Sequence, residues 1–157
     1  MSDGERVCDR HPVSNAIFVV ARAHRAMMAC LLRDLGLHPG QEILLMELWD
    51  HDGRSQRQLG EALAVDHSTI AKSVRRLEDA GLVTRARSAQ DGRVTVVTLT
   101  DAGRALEQRV EQAWAELDRR TTEGMTSEDQ TAFVELATAI ERRVRDRGDS
   151  CSPSPEA

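Results

Sequence analysis

Residues 55–103 read SQRQLGEALAVDHSTIAKSVRRLEDAGLVTRARSAQDGRVTVVTLTDAG, and the order of patterns in this stretch decides the fold. Ser55 has the character of a helix N-cap, with Gln58 at the capping-box spacing. Leu59, Ala62 and Leu63 form the apolar face of a short helix, and Ala64-Val65 is the turn that follows. Asp66 is placed to cap the next helix, whose buried stripe is Ile70, Val74 and Leu77. Gly81 ends that helix. Residues 83–87 and 94–99 read as strands rich in β-branched residues, joined by the polar loop Ser88-Ala89-Gln90-Asp91-Gly92.

Helix, turn, helix and then a hairpin is the order of a winged helix-turn-helix. Outside it the pattern is helical. Residues 14–35 carry a stripe of Ile17, Val20, Ala21, His24, Met27, Met28 and Leu31. Gly36 sits where a helix stops, and Pro39 suits the first turn of another. This helix, residues 39–49, buries Ile43, Leu44 and Leu48, and Asp52-Gly53 closes it. Thr100 opens a further helix with Leu106, Val110, Ala113 and Leu117 in line. Ser127 with Gln130 repeats the capping-box spacing before Phe133, Leu136, Ala137, Ile140 and Val144.

The expected fold is therefore mostly α (α+β), a winged helix-turn-helix with N- and C-terminal helices outside it. The expected divisions are a flexible arm at residues 1–13, the first helix at 14–38, the winged lobe at 39–103, C-terminal helices at 104–146 and a disordered tail at 147–157.

Composition supports helices over strands. The chain has 157 residues, 40% apolar and 30% charged, with only 3% aromatic and no Tyr, so its core is aliphatic. No apolar run is read as long enough to span a bilayer, and the polar start MSDGERVCDRHP lacks a signal peptide's apolar stretch, so a cytoplasmic protein with no membrane partner is expected. Three scattered cysteines do not make a disulfide scaffold.

The net charge is −5, which counts against a nucleic-acid partner until its distribution is considered. Between Arg54 and Arg93, eight cations face five anions, a local +3, which leaves −8 for the remainder. On the second helix of the motif, Ser68, Thr69, Lys72, Arg75 and Arg76 lie away from the buried stripe. The first three suit the major groove of duplex DNA, since hydroxyls donate and accept and Lys reaches guanine O6 or N7. Arg75 and Arg76 suit phosphates. Arg85 and Arg87, two apart on a strand, share a face and also suit phosphate. Arg93 follows the hairpin loop, where an Arg can enter the minor groove. Asp91 is an anion in that loop, with a hydrogen-bonding role inside it or beside a nearby Arg.

The pattern Asp91-x-Arg93, five residues, Leu99-Thr100-x-x-Gly103 resembles the wing signature of the multiple antibiotic resistance regulator (MarR) family. Ser68-Thr69-Ile70 and Leu77-Glu78-x-x-Gly81-Leu82-Val83 are similar to that family's recognition helix and its exit. The resemblance covers roughly residues 14–144. It implies a two-fold dimer on double-stranded DNA, with residues 14–38 as a dimerisation region, 39–103 as the DNA-binding lobe and 104–146 as the C-terminal dimerisation helices, repression more often than activation, and release by a small aromatic or phenolic ligand. It also implies Arg93 in the minor groove and Ser68, Thr69 and Lys72 in the major groove. His67 departs from the polar or basic residue expected there.

In this family small molecules bind between the dimer helices and the DNA-binding lobe. Arg22, His24, Met28, His38 and Trp49 are the candidate lining residues, with core packing as the competing role for His24 and Met28. A redox input is the alternative. Cys8 lies beside Arg6 and Arg10, which lower a thiol pKa, whereas Cys30 reads as a small core residue. No cofactor is expected, and no His or Cys pair has metal-ligand spacing. A winged-helix protein-interaction module without DNA binding is a further alternative. An enzyme is not expected: Asp66-His67-Ser68 are neighbours at a helix start and diverge, and no nucleotide-binding or hydrolase motif is present.

Overall fold

The computed structural model describes residues 10–88 and 91–148. Cys8 and most of the expected N-terminal arm and C-terminal tail lie outside the described residues. Two compact units are present, residues 1–118 and 119–157.

In the first unit, helix α1 (Pro12–Leu32) passes into a single 3-10 turn, Arg33–Leu35, and stops at Gly36 in the left-handed region. Helix α2 (Gln41–Asp50) leads to a two-residue strand β1 (Arg54–Ser55), and then come α3 (Gln56–Leu63) and α4 (His67–Asp79). Strands β2 (Val83–Arg87) and β3 (Thr95–Leu99) follow, then the short α5 (Asp101–Ala105) and α6 (Glu107–Thr121). The sheet is antiparallel in the order β1-β3-β2, with Arg54 opposite Val97 and Val83 opposite Leu99. Two residues of strand are too short to show an alternating pattern, which is why β1 is not visible in the sequence.

The expected caps of the motif form. Ser55 and Gln58 make the full capping box, and the Asp66 side chain accepts from the Ser68 and Thr69 amides. Between α3 and α4 the chain turns at Ala64, with φ 51°. Gly60 is buried, and the Val65 carbonyl oxygen approaches it so closely that a Cβ there would lie 3.0 Å from that oxygen.

The core is aliphatic. Leu32, Leu44, Leu45, Leu48, Leu59, Ile70, Val74, Leu77, Val97, Val110 and Leu117 are all essentially inaccessible. Several sequence expectations need correction. Leu45, not Ile43, is buried on α2, and Ile43 is exposed. Pro39 precedes α2, whose N-cap is Gly40. Ala62 is exposed on α3. Cys30 is exposed rather than in the core. Of the α1 stripe only Met28 is buried, while Ile17 and Val20 are exposed along with Phe18. Val110 and Leu117 belong to the core of the first unit.

The second unit is built on α7 (Ser127–Gly148). Its capping box is Thr126 with Asp129, one residue before the expected pair: the Asp129 N–H donates to Thr126 Oγ1 at 3.1 Å and the Thr126 N–H to Asp129 Oδ2 at 3.0 Å. Phe133, Leu136 and Val144 are exposed on this helix.

Residues 12–35 are long and apolar enough to cross a membrane by length and composition, contrary to the reading from sequence. The stretch nonetheless places Arg22 and Arg25 near its middle, each costing about 2.5–3.5 kcal/mol at a bilayer centre.

Candidate nucleic-acid interface and cavity

Helix α4 is held by Ile70, Val74 and Leu77, which fall on one side at helical spacing and are fully buried. That anchoring leaves Ser68, Thr69, Lys72, Arg75 and Arg76 on the exposed side, as the sequence pattern requires. The hydroxyls are not idle. Ser68 Oγ donates to Asp66 Oδ1 at 2.5 Å, and Thr69 Oγ1 donates to Asp66 Oδ2 at 2.7 Å. These hydroxyl bonds, with the amide bonds of the cap, hold the Asp66 carboxyl well below the usual carboxylate range.

The hairpin is stitched to this helix and to itself. Arg85 Nε and Nη2 both donate to Glu78 Oε2, at 2.8 and 2.5 Å. The Arg85 hydrogen bond is the main reason the Glu78 carboxyl is lowered. Arg85 is thus an ion-paired residue at the α4 exit, a partner the sequence reading did not supply. Arg87 Nη1 donates to the Arg93 carbonyl at 3.3 Å, and the Arg93 N–H donates to Asp91 Oδ1 at 2.9 Å. Asp91 therefore does hydrogen-bond within its loop, and the exposed Arg93 side chain extends from a braced backbone.

The wing base is fixed by residues of the quoted signature. Thr100 Oγ1 accepts from the Gly103 N–H at 3.1 Å and donates to the Gly81 carbonyl at 2.7 Å. The Trp49 indole N–H donates to the Gly103 carbonyl at 3.1 Å. Asp52 completes the base: its Oδ1 accepts from the Leu99 N–H at 2.9 Å and its Oδ2 from Arg104 at 2.7 Å. Burial alone would raise the Asp52 carboxyl, but the bonds from Leu99, Arg104 and Gly53 outweigh it and leave it lowered. Asp52 and Arg104 are 52 residues apart, so no local pattern marks the pair.

The first unit also contains a cavity of about 470 Å³, within the usual size range for small-molecule sites. His24, Arg25 and Met28 of α1, Glu42 and Leu44 of α2, Thr69 and Ser73 of α4, and Trp114 of α6 all line it. Of the residues expected at such a site, His24 and Met28 are on its wall. Arg22, His38 and Trp49 are not among its lining residues: Arg22 lies over the Phe18 ring, His38 is exposed, and Trp49 serves the wing base. Two lining groups were missed. Glu42 is 2% exposed, and burial pushes its carboxyl up although the Glu42 and Gly40 amides partly oppose that. The Trp114 indole N–H is buried without a hydrogen-bond partner among the described residues. A buried unpaired donor is uncommon and calls for an acceptor.

Comparison with known proteins agrees with this geometry. The MarR family profile matches residues 35–94. The chain is 31% identical over 130 residues to an HTH-type transcriptional repressor of Mycobacterium bovis, covering 83% of this chain and 94% of that protein. It is 34% identical over 79 residues to the organic hydroperoxide resistance transcriptional regulator of Bacillus subtilis; this match spans 50% of the chain and only 54% of the relative. The PcaV transcriptional regulator of Streptomyces coelicolor, solved in complex with its natural ligand, superposes with a TM-score of 0.74 at 28% identity, covering 91% of this chain and 97% of that one. The chain belongs to the MarR family: it is a transcriptional regulator with a DNA-binding winged helix, and not an enzyme.

Proposed function

We propose that the protein is a cytoplasmic, homodimeric repressor that binds a pseudo-palindromic operator and is released from it by a small aromatic ligand. The observation that carries the DNA-binding half is the exposed polar and basic side of α4, kept outward by the buried Ile70, Val74 and Leu77. In this reading Ser68, Thr69 and Lys72 meet base edges in the major groove. Arg75, Arg76, Arg85 and Arg87 meet phosphates, and Arg93 enters the minor groove. The exposed apolar side chains of α1 and of α7 support a second copy as partner. The cavity with its unpaired Trp114 N–H supports the ligand, and the ligand-bound PcaV structure points the same way.

Gel-shift titration of the chain against the promoter region upstream of its own gene tests the proposal. Affinity is expected to fall steeply as salt rises, through counterion release. Addition of aromatic carboxylic acids such as salicylate should release the DNA and raise the melting temperature. Absence of salt-sensitive binding to that duplex, with the protein folded, would favour a protein-interaction module and count against the reading.

A thiol-switched regulator is the second reading. It is favoured by the Bacillus relative named for organic hydroperoxide resistance. It is also favoured by Cys30, exposed on α1, whose sulfur accepts from Arg33 at 3.5 Å. Peroxide should then release DNA from the wild type but not from Cys30→Ser or Cys8→Ser. Equal release from all three removes the thiol reading.

A further inference from the structure

Asp66 receives four hydrogen bonds from the first turn of α4. Its Oδ1 accepts from the Ser68 N–H at 2.9 Å, the Thr69 N–H at 3.0 Å and the Ser68 hydroxyl at 2.5 Å; its Oδ2 accepts from the Thr69 hydroxyl at 2.7 Å. The amide bonds are those of an ordinary N-cap. The hydroxyl bonds are not required by a cap, and they change what the helix shows to its surroundings. A hydroxyl has one proton and two lone pairs. Here both protons are held by a charged carboxylate, and charge-assisted bonds are about twice as strong as neutral ones. A neutral acceptor on a base does not compete well for either proton. Ser68 and Thr69 are left with lone pairs alone.

We infer that the first turn of α4 is an acceptor-only surface that selects adenine or cytosine over guanine or thymine at the nucleotides it meets, with Asp66 as the residue that sets this preference. The inference rests on the proposal that α4 enters the major groove. In that groove adenine shows its N6 amine beside the acceptor N7 and cytosine its N4 amine, whereas guanine shows only the acceptors O6 and N7, and thymine shows O4 beside its methyl group, with no donor on either. Lone pairs on Ser68 Oγ and Thr69 Oγ1 match the amines and meet the keto oxygens as like against like. The Asp66 charge acts in the same direction. Lys72, about one turn on, has three donors and no acceptor and suits the opposite class of base. The same helix therefore reads two kinds of position, and it is the Asp66 carboxylate, not the Ser and Thr side chains alone, that separates them.

Selection of binding sites from a randomised duplex pool tests this, using the full chain in parallel with Ser68→Ala, Thr69→Val and Asp66→Asn. The positions whose base preference changes in Ser68→Ala or Thr69→Val are those that these side chains read. At these positions the wild type is expected to enrich A or C over G or T about fivefold or more. Asn is as good an N-cap as Asp, but it replaces one carboxylate oxygen by an NH2 group, which releases a hydroxyl proton. Asp66→Asn is therefore expected to admit G or T at the same positions, with circular dichroism showing each variant folded. Three results each overturn the inference while leaving DNA binding in place: wild-type enrichment of G or T there, an unchanged preference in Asp66→Asn, or no position altered by Ser68→Ala and Thr69→Val. Failure of the folded wild type to enrich any sequence overturns the DNA-binding proposal itself, and this inference with it.

Discussion

Gly103 lies against the backbone of Leu82 so closely that a Cβ on it would come 2.1 Å from the Leu82 carbonyl oxygen. The obstacle is main chain, braced by the Thr100 N–H, which donates to the same carbonyl at 3.0 Å, so no side-chain rotation relieves it. Gly103→Ala is therefore expected to destabilise the fold by about 3 kcal/mol, the upper part of the usual range for overpacked cores. Gly92→Ala is the control, since a Cβ there meets nothing within 4 Å among the described residues, and it should stay within about 0.5 kcal/mol of the wild type. Urea unfolding of the two variants checks both expectations.

Arg93 and Arg85 are both arginines of the hairpin, yet they are expected to behave differently. Arg93 projects from a loop whose backbone is tied to Asp91, so Arg93→Ala should weaken operator binding and reduce the salt slope by about one. A gel-shift series in salt measures both. Unchanged affinity for a confirmed operator would remove Arg93 from the interface.

Arg85 is held by Glu78, whose negative charge offsets its attraction for phosphate. Glu78→Gln should therefore tighten DNA binding at low salt, with the gain fading as salt screens the charges. Looser binding in that variant would mean that the ion pair positions Arg85 rather than restraining it.

Glu42 gives a pH prediction. Its carboxyl is raised in the folded state by burial, so the folded protein holds that proton more readily than the unfolded chain. As pH rises from about 4 through the raised value, the folded state loses stability relative to the unfolded one, and above it the loss is constant. Glu42→Gln removes the titration. The stability difference between variant and wild type should grow in favour of the variant over that window and then level off. A difference independent of pH would show that Glu42 does not titrate there.

Phe18 tests the dimer. It is 65% exposed on α1, and a charge at that position opposes burial against a second copy. Phe18→Glu should lower the sedimentation-derived mass toward that of one chain and weaken operator binding, while urea unfolding of the isolated chain changes little. An unaltered mass would place the dimer surface elsewhere.

The winged motif was legible because each of its parts is local. Ser55 with Gln58, Asp66 at the start of α4, the Ile70-Val74-Leu77 stripe and the β-branched strands all act within a few residues, and caps and periodicity are read at that range. The capping box of α7 shows the limit: Ser127 with Gln130 and Thr126 with Asp129 both have the spacing, and only the folded chain distinguishes them. The α1 stripe shows another. Periodicity reports that Ile17, Val20 and Met28 share a face, but not that Met28 meets the core of its own chain while Ile17 and Val20 are exposed.

By itself the sequence determined the helix, turn, helix and hairpin of the motif, the caps of α3 and α4 and the side of α4 that faces outward. Local hydrogen bonds and hydrophobic period are written residue by residue. Tertiary structure alone decided which distant groups meet: Asp52 with Leu99 and Arg104, Glu78 with Arg85, Gly103 with Leu82, and Glu42 and Trp114 on one cavity wall. Such neighbours depend on how packed elements bring together residues far apart along the chain, 52 positions for Asp52 and Arg104, and no spacing in the sequence encodes such a distance.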